Sequence, residues 1–414
     1  MRAYYLFLKN NFNPVAFGWL LTFFSSFGQT FLISLFVPFI LSQFQLSRSE
    51  FGSYYAAATL VSSLFLLQYG HLVDHSPLRP FTTRTILLLV SACLLLAFAV
   101  HPAMVFLALI GLRLGGQGLM SHISLTVMSR HFTVDRGKAL SLSSLGFPMG
   151  EMIFPLIIGV ALSYWNWQVA LFISAAMLVI LLFVIRQQNV EAYDVATPTA
   201  EVSGKEKWAF YRSLVNGKAF WILLPPVVTF SFIGTGIFFY QYIFAEEKGW
   251  PLEYYSLCFT GYAVVRFLFS LYGGLLTDRL SARTLFPFYL IPLMLGLLAL
   301  AIIPGKFAAL FFLLLTGISA GLSGIISNAI IAELYGSEKV GLVRSFFSMI
   351  MVFSSAVAPI IVGSLLDHHI AMNDIALGCA ALVLVSCLNS FRIRLLQQDL
   401  NETANLEILK TDIV

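Results

Sequence analysis

The chain has 414 residues, of which 59% are hydrophobic and only 11% charged, and its net charge is +4. Soluble domains carry roughly 45–50% apolar and about 25% charged residues, and a globule of this size could not hide 39 Phe behind 24 Lys and Arg. A soluble, disulfide-stapled or disordered chain is therefore excluded. So is a nucleic-acid binder, because there is no long basic stripe. Mean hydropathy is +0.87, as expected of a polytopic membrane protein. The four cysteines, Cys93, Cys258, Cys379 and Cys387, sit in apolar runs and read as small hydrophobes.

A bilayer core takes about 20 apolar residues per helix. In chain order the expected spans are 15–41, 51–73, 85–101, 103–128, 138–163, 167–186, 219–245, 254–277, 284–303, 307–333, 341–366 and 371–391. The first has no small-residue cleavage site after it and reads as a retained helix. With the N-terminus placed inside, 19 basic residues fall on inside segments and 3 (Arg48, Lys248 and Lys306) on outside loops. The positive-inside rule then puts both termini in the cytoplasm of a cell inner membrane.

The polar stretch 187–218 divides the chain into an N-terminal six-helix bundle (1–186) and a C-terminal one (219–394), followed by a cytoplasmic tail (395–414). The end of that linker, Lys205 to Lys218 with Trp208, Phe210 and Tyr211, suits a short surface-lying amphipathic piece. The two halves repeat at an offset of 204: Gly70 with Gly274, Asp74 with Asp278, Gly137 with Gly341, Pro155 with Pro359, and Gly159 with Gly363. Parallel halves are an arrangement of alternating-access transporters, which bind substrate near the midplane.

On these residues the chain resembles the major facilitator superfamily. Gly70-x-x-x-Asp74 with Arg79 and Arg84, repeated as Gly274, Asp278, Arg279 and Arg283, is similar to that family's loop signature, although Pro77 and Pro80 interrupt the first copy. Arg113-Leu-Gly-Gly-Gln117-Gly118 in span four and Gly146-x-x-x-Gly150 with Pro155 in span five resemble two further family motifs. Arg136-Gly137-Lys138-Ala139 and Tyr335-Gly336 through Arg344 look like bacterial members related to monocarboxylate and oxalate carriers. The resemblance implies an all-α fold of twelve membrane helices in two pseudo-symmetric bundles, whose spans one, four, seven and ten line the cavity.

Three ionisable residues fall near the middle of spans, where a charge costs about 2.5 kcal/mol or more and should face a partner or a watery cavity. Arg113 is about 15 Å into span four, Glu151 about 20 Å into span five and Arg266 about 18 Å into span eight, at 1.5 Å per residue. At 100° per residue Gln117, Met120 and Ser124 share the face of Arg113. Arg113 is expected to contact substrate or relay protons, or else to bond carbonyls of a neighbouring helix. The resemblance places it against span one and implicates it in coupling. Glu151 is the only acid in the interior of a span and is the expected proton carrier, with Arg113 as its expected neighbour; the alternative is a static Arg113–Glu151 pair. Arg266 has no intramembrane acid in its own half, so it is expected to be unpaired and to take a substrate carboxylate through its planar fork. The resembled organic-anion carriers also use an arginine in span eight.

Gln29, Tyr240, Gln241 and Asn328 are weaker candidates for substrate contact. Ser and Thr stripes in spans one and ten fit helix packing better. Asp74, Arg84, Asp278, Arg279 and Arg283 are expected to gate at the membrane edge. Asp367-His368-His369 reads as a solvated outer loop in preference to a metal site. There is no Walker A motif, no catalytic constellation in the spans, and no cofactor or metal is called for. The expectation is a secondary transporter, not an enzyme: a monomer in the lipid bilayer that moves a small organic solute, favoured as a carboxylate anion with proton symport. A carboxylate siderophore and proton-antiport export of drugs or metabolites are the alternatives, and a membrane-embedded enzyme or sensor is the different class.

Overall fold

The computed structural model describes residues 2–69, 76–132, 135–193 and 204–393. Among these there are helices and no strands. Nine helices are long and apolar enough to cross a membrane, and the bent pair Phe12–Gly28 and Thr30–Phe44 makes a tenth. Arg48–Tyr69 and the shorter Ile291–Ile302 complete twelve, in the order the sequence predicts. In the nine, only 22–56% of each apolar stretch is buried inside the protein. Leu64, Ile180, Phe183 and Val385 point outward, and such a belt of exposed large apolar side chains needs lipid against it.

Three departures from straight helices matter for the site. In span one, Ser25 Oγ and Ser26 Oγ bond back to the carbonyls of Thr22 and Phe23, both at 2.7 Å. Such back-bonding bends a helix. The chain tightens to a 3₁₀ turn over Ser25–Gly28, Gln29 is extended, and the axis bends by 42°. In span four, Pro102–His131, the stretch Arg113–Met120 is π-helical. Pro155 in span five has no N–H to give to the carbonyl of Glu151, four residues back. Gly336, at φ 74°, ψ 164°, separates spans ten and eleven within an otherwise continuous helical run; that backbone suits glycine.

The chain forms two compact units. The first comprises Met1–Ala200, Gly234–Phe267 and Ser355–Ile370. It holds spans one to six together with one end of spans seven, eight and eleven. Its glycines bring helices unusually close. A Cβ on Gly116 would lie 2.6 Å from the Gly28 backbone, and one on Gly146 or Gly150 would strike Thr22 or Ser26 of span one. Arg79 ties the entry of span three to the exit of span six, donating to the carbonyls of Arg186 and Gln188 at 2.9 Å and to Glu191 at 2.6 Å. Its hydrogen bond holds the Glu191 carboxyl below the usual glutamate range. Tyr193 then packs between Phe17 and His131.

The second unit comprises Glu201–Ile233, Leu268–Ser354 and Ala371–Val414. Its polar contacts are mostly packing devices. Thr229 and Ser386 share a hydrogen bond of 2.7 Å, and Asn389 donates to the carbonyls of Trp221 and Ile222 at 3.1 Å. Ser319 Oγ accepts from the N–H of Leu293, satisfying an orphan donor at the start of span nine. The amphipathic segment forms a helix, Gly204–Asn216, with Trp208 exposed and Tyr211 stacked on Phe346.

Candidate functional site

The sequence made Arg266 an unpaired guanidinium and offered Arg113 as the neighbour of Glu151. The structure reverses the pairing. Arg266 Nη1 donates to Glu151 Oε1, an ion pair that joins spans five and eight. Both residues lie in the first unit, so the acid that Arg266 lacks in its own half is supplied by the other half. Arg266 also donates to the Tyr262 hydroxyl oxygen, one turn away. Next to the pair, Thr260 Oγ1 donates to the carbonyl of Met152 at 3.2 Å and fixes the same two helices.

The pair is lopsided. The Glu151 side chain is 10% exposed and that of Arg266 29%. Glu151 Oε2 is buried and has no hydrogen-bond partner, which is costly for a carboxylate oxygen away from water. A proton on that oxygen would remove the charge but leave the buried position intact.

Arg113 has a different fate. It is 4% exposed. Its Nε donates to Thr59 Oγ1 at 3.1 Å and its Nη1 to the carbonyl of Gly28 at 3.2 Å. Its guanidinium carbon lies 4.9 Å from the ring centroid of Tyr55, whose hydroxyl meets Thr30 at 2.6 Å. This is the carbonyl-bonded alternative of the sequence reading: the broken span one presents the Gly28 carbonyl, and the π-helical stretch that begins at Arg113 faces it. Of its expected companions, Ser124 also turns to span one, donating to the carbonyl of Gly18 at 2.7 Å.

Two of the weaker candidates are engaged in packing. Tyr240 is fully buried and donates its hydroxyl toward the carbonyls of Arg48 at 2.6 Å and Pro359 at 2.9 Å. Gln241 is also fully buried and donates to Ser34 Oγ at 2.8 Å. Gln29 is half-buried at the bend of span one, and Asn328 is exposed on span ten.

Sequence reasoning missed what Tyr240 belongs to. At the end of the first unit remote from the N-terminus, Asp367 accepts the N–H groups of Arg48 and Ser49 at 3.0 and 2.8 Å, capping span two. Arg48 pairs with Glu247 at 3.1 Å. Gly52 and Gly363 let spans two and eleven close around the Tyr240 hydroxyl: a Cβ on Gly52 would be 2.8 Å from it. Asp367 read as part of a loop because its partner lies 319 residues away. No group of His, Cys, Asp and Glu among the described residues has metal-holding geometry.

Of the predicted gate residues, Asp74 lies outside the described residues, as does the side chain of Asp278. Arg84 and Arg279 are exposed. Arg283 donates to the carbonyl of Glu333 at 2.9 Å and pairs with its carboxylate at 3.5 Å. Glu333, not singled out in the sequence, also accepts from the N–H groups of Ala282 and Arg283.

The sequence profile of the Major Facilitator Superfamily matches residues 18–257 and 230–405, most of the chain. The chain belongs to this superfamily. Its fold is the superfamily's, twelve membrane helices in two six-helix bundles, and it is a transporter, not an enzyme. Among solved structures it is similar to a bacterial homologue of the human lysosomal transporter Spinster in its inward-facing, unoccupied conformation, at 12% identity and TM-score 0.71, over 92% of this chain and 96% of that one. The occupied conformation of that homologue matches at TM-score 0.70, with 12% identity, over 92% and 95%. A point mutant of the nucleoside transporter NupG matches at TM-score 0.75 and 12% identity, over 92% and 100%. At that identity these superfamily members share the fold. No curated protein matches in sequence.

Proposed function

We propose that this major facilitator protein carries a small organic anion bearing a carboxylate, coupled to a proton held on Glu151. The observation that supports the reading most is the Arg266–Glu151 pair, with its unsatisfied Glu151 Oε2 beside a partly open guanidinium. Ionised Glu151 holds Arg266 through its Nη1. Protonation weakens that hold, and a substrate carboxylate can then take the guanidinium in bidentate form. Departure of the proton restores the internal pair and releases the substrate. Substrate and proton thus bind together although only one of them touches Arg266. The resemblance to monocarboxylate and oxalate carriers is part of the same proposal. So is the orientation: the 19 to 3 bias of basic residues favours cytoplasmic termini in a cell inner membrane. The two bundles would rock about the site as monomer halves, with Asp74, Arg84, Asp278, Arg279 and Arg283 at the cytoplasmic gate.

Glu151→Gln tests the reading in liposomes. It mimics the protonated acid and cannot release a proton. Uphill uptake driven by a pH gradient should be lost, while exchange of labelled for unlabelled substrate persists. If pH-driven uptake matches wild type, Glu151 is not the coupling site. If both modes fail together and the melting temperature drops, the pair is structural.

A further inference from the structure

Resting on that reading and narrowing it, we infer that the substrate is a monocarboxylate with an aromatic body, seated with its carboxylate at Arg266 and its ring among the phenylalanines beside Glu151. The charge follows from the two arginines inside the spans. Arg113 donates to the Gly28 carbonyl and Thr59, lays its face on Tyr55, and is only 4% exposed. Arg266 alone keeps an open flank. A second carboxylate on the substrate would enter the membrane interior without a cation, which is costly.

The aromatic body follows from what surrounds the pair. Along span five, Phe147 and Phe154 lie one turn to either side of Glu151, within about 60° of it around the helix. Phe154 meets Phe24 and Phe27 of span one, with centroids 5.7 and 4.6 Å away. Along span eight, Tyr262 sits one turn from Arg266 and packs against Phe259 at 5.0 Å. Phe24 and Phe147 are half-buried and so keep ring surface to offer, whereas Phe154 and Phe259 behind them are fully buried. Aromatic rings favour offset or edge-on aromatic partners, and a guanidinium accepts a ring on its face while its edge holds a carboxylate. A hydroxyl-rich solute would need a set of side-chain amides or acids here. Apart from the ion pair, the hydroxyls nearest it are already given away: Tyr262 is bonded to Arg266, Thr260 donates to Met152, Ser26 to the Phe23 carbonyl and Ser270 to the Gly321 carbonyl.

A matched series on purified protein tests this: 3-phenylpropionate, propionate, succinate and the neutral 3-phenylpropanol, with binding read by calorimetry. Phenylpropionate should bind at least roughly tenfold tighter than propionate or succinate, a difference of about 1.4 kcal/mol, and phenylpropanol should not bind. Phe24→Leu and Phe147→Leu, each checked by a melting curve, should erase the phenyl preference and keep propionate binding. Arg266→Lys should weaken every anion. If succinate or propionate binds as tightly as phenylpropionate and depends on Arg266, the aromatic monocarboxylate assignment is overturned while the anion reading stands. A phenyl preference that survives in both leucine variants overturns it in the same way. If no anion shows Arg266-dependent binding, or phenylpropanol binds as well as phenylpropionate, both readings fall.

Discussion

Two arginines lie at similar depth in this membrane protein, and their surroundings give them opposite properties. Arg113 is closed in by a broken helix, a π-helical stretch and a tyrosine ring, and its donors end on uncharged groups of its own bundle. Arg266 ends on an acid from the other half of the sequence and keeps a flank exposed. Burial of a guanidinium on neutral acceptors fixes a fold, because every partner is left unsatisfied when it goes. Pairing with a single titratable acid gives a contact that one proton can undo. The difference between the two arginines lies in their partners, since neither the residue type nor its depth differs.

The largest effect expected from this contrast is on stability. Arg113→Met should strand the buried Gly28 carbonyl and Thr59 hydroxyl, at about 1–3 kcal/mol for each unsatisfied group, and lower the melting temperature clearly. Arg266→Lys should melt near wild type yet lose roughly ten- to a hundredfold in substrate affinity, because the amine keeps the charge and loses the fork. Equal melting losses for the two variants, with equal binding, would erase the distinction.

A smaller effect belongs to the remote end of the first unit. Tyr240→Phe removes the hydroxyl shared by the Arg48 and Pro359 carbonyls. At about 1–2 kcal/mol for the lost bonds, it should shift the conformational equilibrium toward separation of spans two and eleven. Labelling of a cysteine introduced at Ser49 should then speed up several-fold, with substrate affinity unchanged at the Arg266 site. Unaltered labelling would show that the Tyr240 contact is incidental.

The smallest concerns Arg79 and Glu191, an exposed contact with no substrate role. The Glu191 carboxyl is held below its ordinary range by Arg79, so its contribution to stability is present above that range and fades as pH falls through the lowered value. Any melting advantage of wild type over Glu191→Gln should be slight at neutral pH, as for exposed pairs generally, and vanish in acid. An advantage that grew on acidification would contradict the pairing.

Much of this was legible in the chain. Span order, the two halves, and the unusual status of Arg113, Glu151 and Arg266 followed from apolar run lengths, a fixed offset and the rarity of charge in hydrocarbon. The Ser and Thr stripe of span one, read as packing, bonds mainly to carbonyls of its own helix, and Thr22 also reaches the Ser143 carbonyl of span five. Tyr240 and Gln241 misled because a polar residue near a span end looks the same whether it faces a cavity or a neighbouring helix. Asp367 misled because a helix cap supplied from 319 residues away leaves no local signature.

The sequence by itself determined the solvent of this protein, the number of its crossings and which charges need explaining, because those depend on composition and on lengths along one helix. Tertiary structure alone decided which charge meets which. An ion pair between spans five and eight, 115 residues apart, depends on how two helices are rotated and bent against each other. That rotation is set by the glycine contacts and the helix breaks, through sums of small packing forces that no periodicity in the chain records.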